Sequence, residues 1–174
     1  MITLINATNR PDNQTQLVAK AYKDLLEARG LEVQYFSMEQ LPFNYLKLDV
    51  EKSAEEKNGL AQIIATYIAS ADKLIVVSPE YQGSFTGIFK LFLDFVKPEY
   101  FRGKKIALVG VSNGRAGNLR GLDHLTNIFN YLQANVLAQK LPISSIHTLV
   151  NEGQLKDAGT IKAMENQLNH FEKF

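Results

Sequence analysis

The chain has 174 residues, 45% of them apolar, with 19 Lys and Arg against 18 Asp and Glu. That length and apolar share suit one domain with one sizeable core, and a net charge of +1 offers no field to attract DNA, RNA or an anionic membrane. Cysteine is absent, which excludes disulfides, thiolate metal sites and a thiol nucleophile.

The segment Met1-Ile2-Thr3-Leu4-Ile5-Asn6 has neither a basic leader nor a long apolar stretch, and no later run approaches the roughly 18 apolar residues of a membrane span. A soluble cytoplasmic protein is expected. Residues 2–6 read as a buried parallel strand, followed by the polar loop Ala7-Thr8-Asn9-Arg10-Pro11-Asp12-Asn13-Gln14-Thr15. Leu17, Val18, Ala21, Tyr22, Leu25 and Leu26 then recur at helical spacing, and Gly30 follows as a C-cap. Val33 to Phe36 make a second strand, and residues 37–52 show no clear period. Ser53 with Glu56 forms a capping-box pattern ahead of a helix carrying Leu60, Ile63, Ile64, Tyr67 and Ile68.

Leu74 to Ser78 form a third strand, which runs into the loop Pro79-Glu80-Tyr81-Gln82-Gly83-Ser84. The helix from Phe85 to Val96 leaves only Thr86, Lys90 and Asp94 as a narrow polar stripe. Its apolar surface is too wide for a sheet alone, so it demands either deep burial, with Tyr100 and Phe101 folded over it, or a subunit interface. Ile106 to Val111 form a fourth strand, followed by the Gly-punctuated loop Ser112-Asn113-Gly114-Arg115-Ala116-Gly117-Asn118. A helix with Leu122, Leu125, Ile128, Phe129 and Leu132 comes next. Residues 135–146 supply a broken fifth strand around Pro142, and the last helix sets Ile161, Met164, Leu168 and Phe171 on one face.

Strands alternating with helices predict an α/β, doubly wound, five-stranded parallel sheet with helices on both faces, and the flavodoxin-like order 2-1-3-4-5 fits the size. In that order the loops after strands one, three and four meet where the strand order reverses, which is where ligands bind. The first loop lacks the spacings of a dinucleotide fingerprint or a P-loop. It offers Thr8, Arg10, Asn13, Gln14 and Thr15 just ahead of a helix, a donor set suited to a single phosphate group. The plainer alternative makes Asn13 or Thr15 an N-cap and Arg10 a solvated side chain.

These loops resemble those of the flavodoxin-like NAD(P)H-dependent FMN reductases, which include quinone, azo-dye and chromate reductases. The family's first loop is of the form Gly-Ser-x-Arg-x-x-Ser-x-Asn/Ser, and residues 7–15 keep its spacing, with Thr8, Arg10, Asn13 and Thr15 on the phosphate-binding positions. Its second motif, Pro-Glu-Tyr-Asn-Gly-Ser-x-x-Gly-x-x-Lys, is matched by residues 79–90 with Gln82 in place of Asn. Its third, Ser-x-Gly-x-x-Gly-Gly, is matched by Ser112, Gly114 and Gly117, with Asn118 replacing the last Gly. Ala7 and Asn118 put side chains where the family often has none.

The resemblance implies one FMN-binding domain over residues 1–174, with the phosphate on the first loop, the isoalloxazine ring against Pro79, Glu80, Tyr81, Gln82 and Gly83, and Ser112 and Gly114 facing the pyrimidine edge. It implies NADPH or NADH as co-substrate, a small acceptor (flavin, quinone, azo compound or metal oxyanion) served in ping-pong order, and a homodimer or homotetramer. Phe89, Phe92 or Phe95 is then expected between subunits. No side-chain acid, base or metal is required: Glu80 reads as a solvated loop carboxylate, and His124, His147 and His170 lack triad or metal-ligand spacing. Two rivals stand beside this reading. One is a flavodoxin-type electron carrier. The other is a flavin-free regulatory domain of the same fold, although a receiver would want acidic residues where Asn6 and Ser78 stand.

Overall fold

The computed structural model describes residues 1–42 and 59–174. β1 (Ile2–Asn6) pairs in parallel with β2 (Val33–Ser37) on one side and β3 (Lys73–Pro79) on the other. β3 pairs with β4 (Lys105–Val111), and the strand order is β2-β1-β3-β4-β5, the doubly wound order expected. The fifth position is split between β5 (Asn135–Val136) and β6 (Leu141–Ile143), both parallel to β4. A small antiparallel hairpin, β7 (Val150–Asn151) with β8 (Gln154–Leu155), was not anticipated. Strands of two residues carry no period that a sequence pattern can register.

Side chains along β3 alternate between two cores, as the period of two requires. Leu74 and Val76 face the cluster formed with α2 (Gly59–Ile63), α3 (Gly87–Phe95) and α4 (Leu119–Tyr131). Ile75 and Val77 face α1 (Thr15–Ala28) and α5 (Ala158–Lys173), where Val18, Tyr22, Met164, Leu168 and Phe171 pack. Between α2 and β3 the helix continues as a π-turn over Ile64–Ala69. The capping box at Ser53 and Glu56, and the stretch from 43 to 52, lie outside the described residues.

The wide apolar surface of α3 is covered by the chain itself. Phe89 and Phe92 are fully buried and Phe95 nearly so, with the Phe92 ring 5.3 Å from Phe36 and 6.4 Å from Phe89. Phe101 is buried in the same cluster and Tyr100 packs against it. These three phenylalanines therefore sit in an intrachain core, which corrects the expectation that one of them lies between subunits. Burying a ring of this size is worth roughly 1.5–3 kcal/mol, so the helix needs no second copy to hide it.

The split fifth strand leaves the middle of β4 without a strand partner on that side. Gln167 of α5 fills the gap: its Nε2 donates to the Leu108 carbonyl at 3.1 Å and to the Gln139 carbonyl at 2.9 Å. Its Oε1 accepts from the Tyr22 hydroxyl at 2.6 Å. The Gln167 side chain is itself buried and fully bonded, as a polar group there requires, and burial pushes the Tyr22 phenol well above its ordinary pKa.

Candidate functional site

β1, β3 and β4 are parallel and in register, so Asn6, Pro79 and Val111 end at the same edge of the sheet. The chain leaves each strand there, and the three loops surround a cavity of about 360 Å³. Its walls include Thr8, Arg10, Asn13, Gln14 and Thr15 from the first loop, Pro79, Glu80 and Tyr81 from the second, and Ser112 from the third.

In the first loop, the Asn13 side chain is fully engaged. Its Oδ1 accepts from the Gln16 N–H at 2.8 Å, capping α1, and from Asn6 Nδ2 at 3.3 Å. Its Nδ2 donates to the Arg10 carbonyl at 2.7 Å and to Glu39 Oε1 at 2.8 Å. Asn13 thus shapes the loop with its side chain and can offer the cavity only its main chain. Thr8 Oγ1 accepts from the Arg10 N–H at 3.2 Å, and Arg10 forms no ion pair among the described residues. Nor do the N–H groups of Gln14 and Thr15, at the start of α1, find an acceptor there. Open amides at the positive end of a helix, with hydroxyls and a free guanidinium, are an anion cradle.

In the second loop, Tyr81 and Ser84 exchange backbone hydrogen bonds of 2.8 and 2.9 Å across Gln82 and Gly83. Both central residues have positive φ, +50° and +73°, the signature of a type I′ turn, which favours Asn-Gly. Gln82 is therefore a strained choice where the related motif has Asn. Gln82→Asn is expected to raise stability by about 0.5 kcal/mol, read as a higher midpoint in urea; an unchanged or lower midpoint would show that the turn is not strained at this position.

In the third loop, Ser112 Oγ donates to the Gly114 carbonyl at 2.9 Å and accepts from the Gly117 N–H at 3.0 Å. Asn118, at φ +65° and almost fully buried, turns away from the cavity. Its Nδ2 donates to the carbonyls of Ser78 and Pro79, both at 3.0 Å, tying the third loop to the start of the second. Gly121 makes room for it, since a Cβ there would lie 2.1 Å from Asn118 Oδ1. Ala7 is also buried, and its carbonyl accepts from Thr86 Oγ1 at 2.5 Å. Thr86 in turn caps α3 through the Phe89 N–H.

The sequence-predicted residues are therefore brought together except for three: Gln82, Gly83 and Gly114 do not line the cavity. Pro11, Asp12 and Asn113 line it too, from within loops already singled out. Ile146 is a different case. It reaches the cavity from the turn after β6, where its N–H donates to the Ser112 carbonyl at 3.1 Å, and only the pairing of β6 with β4 brings it there. Among the described residues, no helix is long and apolar enough to cross a membrane, and no group of three or more His, Cys, Asp or Glu could hold a metal ion.

Residues 1–148 match the family model described as NADPH-dependent FMN reductase. An NADPH azoreductase of Bacillus sp. (strain OY1-2) is 26% identical over 154 residues, covering 88% of this chain and 81% of the relative. An FMN-dependent NADPH-azoreductase of Staphylococcus aureus is 27% identical over 130 residues, covering 74% and 69%. Among solved structures, the flavoenzyme NAD(P)H:(acceptor) oxidoreductase FerB of Paracoccus denitrificans aligns with a TM-score of 0.76 at 20% identity, over 99% of this chain and 97% of that one.

Proposed function

The chain belongs to the NADPH-dependent FMN reductase family, and from that premise we propose that it oxidises NADPH or NADH at an FMN held in the three-loop cavity and passes the electrons to a small acceptor. It is an NAD(P)H-dependent flavin oxidoreductase, which sets aside the carrier and flavin-free readings. The observation that carries the site assignment is the first loop: among the described residues Arg10 has no ion-pair partner and the amides of Gln14 and Thr15 beside it have no acceptor. That donor set fits a terminal phosphate monoester, and the remaining walls fit a planar ring system.

FMN, when bound, would supply the hydride chemistry between a nicotinamide and an acceptor. The chain's own residues bind and orient. Arg10, Thr8 and Thr15 would hold the phosphate, while the backbone from Pro79 to Tyr81 and Ser112, with the loop it braces, would line the space for the ring. No residue is assigned a proton-transfer role. One cavity serves both substrates, so nucleotide and acceptor enter in turn, a ping-pong order. Quinones, azo compounds, free flavin and metal oxyanions are the acceptor classes proposed.

We also propose that the whole chain is one FMN-binding domain, that it acts in the cytoplasm and that it associates as a homodimer or homotetramer. With α3 accounted for by the intrachain core, that association is not assigned to α3. The deciding experiment for the function is anaerobic: protein reconstituted with FMN is titrated with NADPH and then given a quinone or azo dye. Loss of the visible flavin absorbance and its return on adding the acceptor is the expected result. Failure to bind FMN, or FMN that neither nucleotide bleaches, would overturn the reading.

A further inference from the structure

Just outside the cavity, α4 runs past the Gln82–Gly83 turn and presents two basic residues to it, one helical turn apart. Arg120 Nη1 lies 3.7 Å from where a side chain on Gly83 would begin, and His124 Nδ1 lies 2.8 Å from Ser84 Oγ. Arg120 makes no ion pair and no side-chain hydrogen bond among the described residues. The nearest acid on α4, Asp123, is paired with Lys140 at 3.8 Å, and Glu80 stands on the cavity side of the turn. At the apex, the N–H groups of Gln82 and Gly83 take no acceptor among the described residues. A guanidinium and an imidazole thus stand beside a turn that carries two open main-chain donors, with no carboxylate paired to the guanidinium among the described residues.

We propose that Arg120, His124 and the Gln82–Gly83 turn form an anion subsite that takes a phosphate group of the nicotinamide nucleotide. This rests on the reductase reading given above. The subsite is separated from the cavity wall by a single tight turn, because Ser84, which touches His124, is the backbone partner of Tyr81, which lines the cavity. A dinucleotide with its nicotinamide in the cavity has phosphate to place beyond the rim, and a planar guanidinium beside open N–H groups is the arrangement that recognises phosphate. It also gives Gln82 and Gly83 a role, although neither lines the cavity.

The test compares the FMN-loaded protein with its Arg120→Gln, Arg120→Lys and His124→Gln variants. Equilibrium binding of 2′,5′-ADP, which carries phosphate but no nicotinamide, and KM for NADPH and NADH are measured. Arg120→Gln is expected to weaken 2′,5′-ADP and to raise KM for NADPH about tenfold, the loss of one charge-assisted hydrogen bond at an exposed site, with partial recovery in Arg120→Lys. The FMN dissociation constant is expected to stay the same, which also shows that the variants fold. A rise for NADPH alone assigns the 2′-phosphate, and an equal rise for both nucleotides assigns the pyrophosphate; either supports the subsite. Unchanged 2′,5′-ADP binding and KM in a variant whose flavin is still bleached overturns the subsite but leaves the reductase reading intact. A change in sedimentation without a change in KM also overturns it, by giving the surface to a second copy. Flavin that neither nucleotide bleaches overturns the reductase reading itself.

Discussion

Arg10→Glu is expected to weaken FMN binding at least about a hundredfold while leaving riboflavin binding nearly unchanged. The guanidinium has no carboxylate partner among the described residues, so its replacement removes an attraction to phosphate, adds a repulsion and breaks no ion pair among those residues. The Arg10 main chain still serves the loop, because its carbonyl accepts from Asn13 and its N–H donates to Thr8. Riboflavin lacks the phosphate and is the internal control, with fluorescence quenching on binding as the readout. Parallel losses for both flavins would mean that the loop had rearranged, and no loss for FMN would remove the phosphate from this loop.

The second large effect lies behind the site. Gly121→Ala adds a methyl group 2.1 Å from Asn118 Oδ1 and 2.9 Å from Nδ2, although alanine is the better helix former. The Asn118 side chain has to leave, taking its bonds to Ser78 and Pro79 with it. Stranding two carbonyls and straining the loop is expected to cost about 2–4 kcal/mol. Asn118→Gly alone is expected to cost only about 1 kcal/mol, since the lost bonds are offset by a residue at ease at φ +65°. The double variant should be no worse than Asn118→Gly, because the methyl group then fills space that the amide has vacated. Urea midpoints for the four proteins complete the cycle; simple additivity would show that the two residues do not compete for one volume.

Asn118 also illustrates what could be read from the chain and what could not. The strands, helices and three loops follow from apolar periodicity and from Gly and Pro placement, which act over a few residues, and the sheet order from the alternation of those elements and the chain's size. The direction of a side chain in a loop does not. Asn118 stands where the related motif has Gly and reads as a group that would crowd the flavin, yet its left-handed backbone turns it beneath the loop, to the end of β3. Asn13 reads as phosphate ligand or, more plainly, as helix cap, and the contacts with Asn6 and Glu39 that settle its side chain come from β1 and the turn after β2. Phe89, Phe92 and Phe95 suggest an interface only while the elements that cover them are unplaced. Ile146 enters the cavity through a pairing set by two three-residue segments far apart in sequence.

Gln167 sets an order of events during synthesis. The middle of β4 is emerging from the ribosome well before the amide that completes its hydrogen bonding, and the Tyr22 hydroxyl waits longer still. Until α5 docks, the Leu108 carbonyl lacks the donor that Gln167 gives it in the finished fold, and contacts this distant in sequence are the slow ones to form. A partly made chain is therefore exposed to pairing with a neighbour at that carbonyl, and the closing helix is what ends the exposure.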